Sequence, residues 1–179
     1  MTFRFFAIAA LLAGCSYISS DTVERIANIS PLKADPGDYT VRATLPEGLD
    51  VQPGGAVLSV AAQRNDTHAA SREIYVLQRL DAGAGTVQFR IAPDDLPRLK
   101  AQQALIADWS DALGGTGIAQ FSVDVKGCRV GAGPNLDDTM SVSLISASDG
   151  STRQIVPPTA VRNVLLTGGN DRLLLDPCT

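Results

Sequence analysis

The chain has 179 residues, 45% of them hydrophobic, 19% charged and 5% aromatic, with a formal charge of −4. That is the length of one ordinary domain with enough apolar content for a core, which excludes wholesale disorder. A single histidine, three cysteines and no basic block exclude His-based zinc sites, iron–sulfur clusters and a phosphate-tracking nucleic-acid surface.

Arg4 is the only charge ahead of an unbroken apolar run from Phe5 to Ala13. As a helix that run rises about 14 Å, under half of a ~30 Å hydrocarbon core, so its layout is that of a secretory signal and not of a membrane span. It ends in Leu12-Ala13-Gly14-Cys15. This ending resembles the lipobox of bacterial lipoproteins, and the resemblance covers only these first residues. It implies cleavage between Gly14 and Cys15 and acylation of Cys15, palmitate included. Several chains on one residue anchor stably where one would be marginal. Ser16, in place of the Asp associated with inner-membrane retention, leans the implied destination towards the outer membrane, facing the periplasm. Three regions follow: a cleaved signal over 1–14, a lipidated N-terminus and tether over 15–34, and a globular domain over 35–179.

Setting Cys15 aside leaves Cys128 and Cys178. In an exported domain two remaining cysteines predict one disulfide, tying the penultimate residue to the middle of the domain. No Cys-x-x-Cys spacing supports redox catalysis.

Within the tether, Asp21-x-x-Glu24 resembles a capping box and predicts a brief helix ended by Pro31. Asp35 to Asp38 is a turn cluster. Tyr39, Val41, Ala43 and Leu45 alternate with polar residues, which predicts a strand with one buried face. Pro46-Glu47-Gly48 and Pro53-Gly54-Gly55 read as connection, and Val57 to Gln63 as the next strand, with Leu58, Val60 and Ala62 inward. After a polar loop over 64–71, Ile74 to Leu77 is apolar on both faces and suits a central strand. Asp81 to Gly85 predicts a hairpin turn into a strand with Val87, Phe89 and Ile91 inward. One helix is predicted over about 94–113, capped by Asp94 or Asp95, with Pro97 in its first turn and a stripe of Leu96, Leu99, Ile106, Trp109 and Leu113 joined by Leu105 and Ala112. Further strands follow at Ala119 to Val125, Met140 to Leu144 and Thr152 to Val156, the last broken by Pro157-Pro158. Val161 to Leu166 reads as a short strand or a helical turn, and Leu173 to Leu175 as a last edge strand. The fold class is mainly β, a β-rich α+β chain: a single sandwich-like antiparallel domain of six to eight strands with one amphipathic helix.

Chemistry is thin. His68 lies in the loop Arg64 to His68, with no Gly-x-Ser-x-Gly elbow to accompany it. The carboxylate pairs Asp35/Asp38, Asp94/Asp95 and Asp137/Asp138 sit at turns and a helix start, where Asp caps backbone. Gly133 to Asp138 offers oxygen ligands without EF-hand spacing. Gly114 to Gly117 follows a helix, the wrong polarity for phosphate. No metal or cofactor is expected. The expected function is a non-catalytic, lipid-anchored accessory that binds an envelope protein. The membrane is met through the acyl chains on Cys15, and no nucleic acid is a partner. The alternative functions are a periplasmic carrier of a small apolar ligand or lipid, with Phe89, Trp109 or Phe121 lining a cavity, and a cell-wall hydrolase built on paired carboxylates.

Overall fold

A computed structural model describes residues 32–113, 118–165 and 175–179. The lipobox with Gly14 and Cys15, the Asp21 capping box, and Gly114 to Gly117 lie outside the described residues, as do Leu173 and Leu174.

Seven antiparallel strands form one curled sheet in the order β5-β2-β3-β4-β1-β6-β7. They are β1 (Tyr39–Thr44), β2 (Leu49–Gln63), β3 (Ala70–Asp81), β4 (Thr86–Ile91), β5 (Ile118–Arg129), β6 (Thr139–Ser146) and β7 (Thr152–Ala160). The main helix, α1 (Leu96–Ala112), enters through a 3-10 turn at Pro93–Asp95, and a five-residue helix, α2 (Val161–Leu165), follows β7. The chain is therefore mainly β with one substantial helix, as its patterning predicts.

Alternation places the core. Ala43, Leu45, Val60, Ala62, Tyr75, Leu77, Val87, Phe89 and Ile91 are buried together on one face of the sheet, and Leu99 and Ile106 of α1 close over them. Leu32 packs against this cluster, and Gln103 Nε2 donates to the Ala34 carbonyl (3.2 Å), so the chain enters the domain beside α1. Asp35 caps the 3-10 turn Pro36–Asp38 by accepting from the Gly37 N–H (2.9 Å) and also binds Lys100 Nζ (2.8 Å). Both contacts, that of Lys100 first, hold its carboxyl below the usual carboxylate value.

Three local readings are corrected. Pro53-Gly54-Gly55 lies inside β2 as a bulge, where Val51 faces Gly127 and Ala56 faces Val125 on an otherwise regular β5. Pro and Gly mark bulges as readily as turns, and the bulge re-aims Gln52. Pro157-Pro158 does not end β7, because the two prolines fall in a register shift between the Val142–Val156 and Met140–Thr159 pairs, on an edge strand where missing N–H groups are tolerated. Ile74 to Leu77 does lie in an interior strand, but only one of its faces is covered: Tyr75 and Leu77 are buried, whereas Ile74 and Val76 are 52% and 51% exposed on the outer face of β3. At Gly48, φ is +82° and a Cβ would collide with the Gly133 carbonyl, so this position needs glycine.

The β6–β7 hairpin turns on Asp149-Gly150. The Ser151 N–H donates to Asp149 Oδ1 (2.9 Å), and this bond, helped by the Ser151 and Ser146 hydroxyls, pulls the carboxyl to about 2. Arg64 does the same for Asp66, also to about 2. Both folded-state values lie below the unfolded carboxylate value of ~3.9. The unfolded chain therefore takes up protons first as pH falls, and the stability these groups contribute is present above about pH 4 and lost towards pH 2. Thermal midpoints between pH 5 and 2 should fall, and Asp149→Asn should flatten that slope. An unchanged slope would contradict the assignment.

Candidate functional site

The cysteine pair is joined: Cys128 and Cys178 form a disulfide with Cα atoms 5.0 Å apart. Cys128 is fully buried at the end of β5. The tail beside it is held by backbone bonds, with the Arg129 N–H donating to the Asp176 carbonyl (2.9 Å) and the Cys178 N–H to the Arg129 carbonyl (3.1 Å). Gln52, from the β2 bulge, donates to the Pro177 carbonyl (2.9 Å). Asp176 to Cys178 are thus clamped against the outer edge of β5.

His68 sits exposed at the β2–β3 turn with φ +58°, a left-handed position that favours Asn or Gly. Asp66 fixes that turn by accepting from the Thr67 N–H (2.9 Å) and from Arg64. His68→Asn should raise stability by a few tenths of a kcal/mol; a fall in the thermal midpoint would show that the imidazole does more than occupy a turn. One carboxylate of each pair holds a cation: Asp35 binds Lys100, Asp95 binds Arg98 (2.9 Å) and Asp137 binds Arg162. Asp95 stands at the predicted cap position of α1, but its side chain goes to Arg98 and makes no cap bond. In the loop over 133–138, Asn135 Oδ1 accepts from the Asp137 N–H (3.1 Å), a turn contact. Among the described residues no three His, Cys, Asp or Glu side chains cluster as a metal site.

The aromatic residues proposed as cavity lining are packing residues. Phe89 is buried, and Trp109 and Phe121 lean on the same cluster. A shallow recess beside the β6–β7 hairpin is lined by Tyr39, Leu144, Ser146, Asp149, Ser151 and Arg153.

The stripe on α1 differs from its sequence reading. Its buried residues are Leu99, Gln102, Gln103 and Ile106, whereas Leu105 is 41% exposed. Gln102 is a hub: its Oε1 accepts from the buried Tyr75 hydroxyl (2.9 Å), and its Nε2 donates to the Val60 carbonyl (3.1 Å) and Ser71 Oγ (3.0 Å). Arg98 lies over the Tyr75 ring, 4.2 Å from its centroid, and pairs with Glu73 (2.6 Å). It also donates to the Ile74 carbonyl (3.1 Å), just beyond the last β3–β4 pair at Leu77 and Ile91. Helix and sheet are bolted together at β3, which makes the outer face of that strand a rigid platform.

Two apolar surfaces remain open. On the outer face, Ile74 and Val76 stand beside half-buried Val57, which is paired directly with Val76. On the core face of β5, Val123 and Val125 are 51% and 55% exposed although they lie opposite Leu58 and Ala56. Sequence alternation marks both sets as strand faces but does not say which faces are covered. No protein family, curated protein or solved structure matches this chain.

Proposed function

We propose that the chain is a lipid-anchored module of the cell envelope that acts by binding a partner protein and not by catalysis. The observation that carries the binding reading is the Val57, Ile74 and Val76 patch, apolar side chains presented outward on the strand that α1 holds most firmly. Apolar clusters on a rigid, solvent-facing sheet are characteristic of protein contact sites. The anchoring reading rests on Leu12 to Cys15. The tether over 15–34 is 20 residues, which fully extended reaches at most roughly 70 Å, enough to carry the domain well clear of a bilayer surface.

Anchoring is tested by the intact mass of the native protein. The expected species begins at an acylated Cys15, and Cys15→Ala abolishes membrane partitioning; an unmodified Cys15 rejects the anchor. Binding is tested by a photo-crosslinker at position 74 or 76 in whole envelopes. Both positions should give the same adduct, lost in Val57→Lys and absent from a probe at exposed Lys100. Adducts that ignore Val57→Lys, or no adduct at all, reject the patch.

A further inference from the structure

We propose that the outer face of the sheet binds carboxylates of a partner protein through Arg42 and Arg90, beside the apolar patch at Val57, Ile74 and Val76. The proposal rests on that patch as a protein contact and names the chemistry of what docks there. Gln78 follows Val76 on the same face of β3, since strand residues two apart share a face. Arg90 of β4 stands directly opposite Gln78, and its Nε donates to Gln78 Oε1 (3.0 Å). Two residues back along β4, Gln88 stands directly opposite Arg42 of β1. With its amide oxygen turned towards β1, Gln88 accepts from Arg42 Nε and Nη2 (3.1 Å each). Both arginines are exposed. They are diagonal neighbours on adjacent strands, about 7–8 Å apart at their Cα atoms.

Each guanidinium is thus held by an uncharged amide, and among the described residues neither meets a carboxylate. Arg64, Arg79, Arg98 and Arg162, by contrast, each hold an aspartate or a glutamate. In a chain with a formal charge of −4, two cations side by side are left without an acid. Asp124, opposite Val57, lies on the far side of the patch. Glutamine fixes the direction of a guanidinium and leaves its charge in place. Arg90 keeps both Nη groups, and Arg42 its Nη1, for an incoming acceptor. A carboxylate suits such a fork, taking two parallel N–H bonds from one guanidinium. Arginine beside an apolar centre is the composition of protein contact sites. A bilayer fits less well: Gln78, Leu80, Gln88 and Ser143, which surround the pair by register, include no aromatic ring, whereas headgroup-depth surfaces carry Trp or Tyr. β4 and β1 are interior strands, so the pair lies mid-sheet. The segments outside the described residues join the fold elsewhere: before Leu32 at the core, after α1, and between α2 and the tail on β5.

The test is the crosslinker at position 76 in whole envelopes, with the adduct quantified and identified by mass. Arg42→Gln combined with Arg90→Gln should lower the yield of the protein adduct at least fivefold. The thermal midpoint of the purified full chain should stay unchanged, because neither arginine neutralises an acid of its own fold. Lys33→Gln, which removes an exposed cation ahead of β1, should change neither. Raising NaCl from about 0.1 to 1 M shortens the screening length from about 10 to 3 Å. It should lower the yield at least threefold in the unaltered chain and much less in the Arg42/Arg90 variant. An adduct that is lost in Val57→Lys but indifferent to the arginines and to salt overturns the acidic partner and leaves the patch standing. No adduct in any variant overturns both. A lowered midpoint with the yield retained assigns the arginines to the fold and overturns the proposal. So does an adduct of lipid mass, which gives the face to a bilayer, or one within the chain to residues 1–31, which gives it to the tether.

Discussion

Cys178→Ser is expected to cost about 4 kcal/mol, the chain-entropy value for a closed loop of this size. The bond joins residues 50 apart in sequence, so removing it frees most of the last third of the domain in the unfolded state. At an m-value of ~2 kcal/mol/M the urea midpoint should fall by about 2 M. Reductant should reproduce the loss in the unaltered chain and add nothing to the variant. Among the described residues the tail's remaining ties are the two backbone bonds at Arg129, the contacts of Gln52 with Pro177 and Thr179, Leu175 against the core, and an exposed Lys126–Asp176 pair at 3.6 Å. Exposed pairs contribute little, so these ties cannot substitute for the covalent bond. A loss below about 1 kcal/mol would show that the unfolded chain is already compact around this loop.

Gln102→Leu is expected to cost about 3 kcal/mol, despite improving the apolar character of the buried stripe. The Tyr75 side chain is fully buried, and its hydroxyl donates to Gln102. Leucine strands that donor away from water, which costs about 1–3 kcal/mol, and also removes the bonds to Val60 and Ser71. Tyr75→Phe alone should cost about 1 kcal/mol. The double variant should be more stable than the sum of the two by about 1–2 kcal/mol, because each single change leaves the other's polar atom unpaired. Chemical denaturation of the four proteins measures this coupling. Additivity would mean that water or another group satisfies Tyr75.

The strands whose faces alternate between core and solvent were legible before the structure. β1 and β4 carry Val41, Ala43, Val87, Phe89 and Ile91 at a period of two, and all point to the core cluster. The cysteine pair was legible by elimination once Cys15 was set aside. Other features depended on context that a linear pattern does not hold. Pro53-Gly54-Gly55 and Pro157-Pro158 look like stops, yet one is a bulge and the other lies on an edge. Gln102 and Gln103 look like solvent-facing positions because glutamine is polar, and only the neighbouring Tyr75 hydroxyl and Ala34 carbonyl make them interior. The open surfaces were hardest to read. Ile74 and Val76 look like core, and Val123 and Val125 share the core face of their strand, but coverage depends on where α1 ends up. The candidate site is made of residues whose pattern promises burial that the fold does not deliver.

The place of β1 has a consequence for the order in which the domain can be completed. It is the first strand among the described residues yet sits between β4 and β6, with Tyr39 opposite Ser146. During synthesis one flank of β1 can zip onto β4 early, while the other stays bare until β6 arrives roughly a hundred residues later. Such long-range pairing is slow. The disulfide waits longer still, because Cys178 lies beyond β6 and β7 in the chain. A nascent chain therefore carries β1 with one flank unpaired until β6 has emerged, and covalent closure comes later than that pairing.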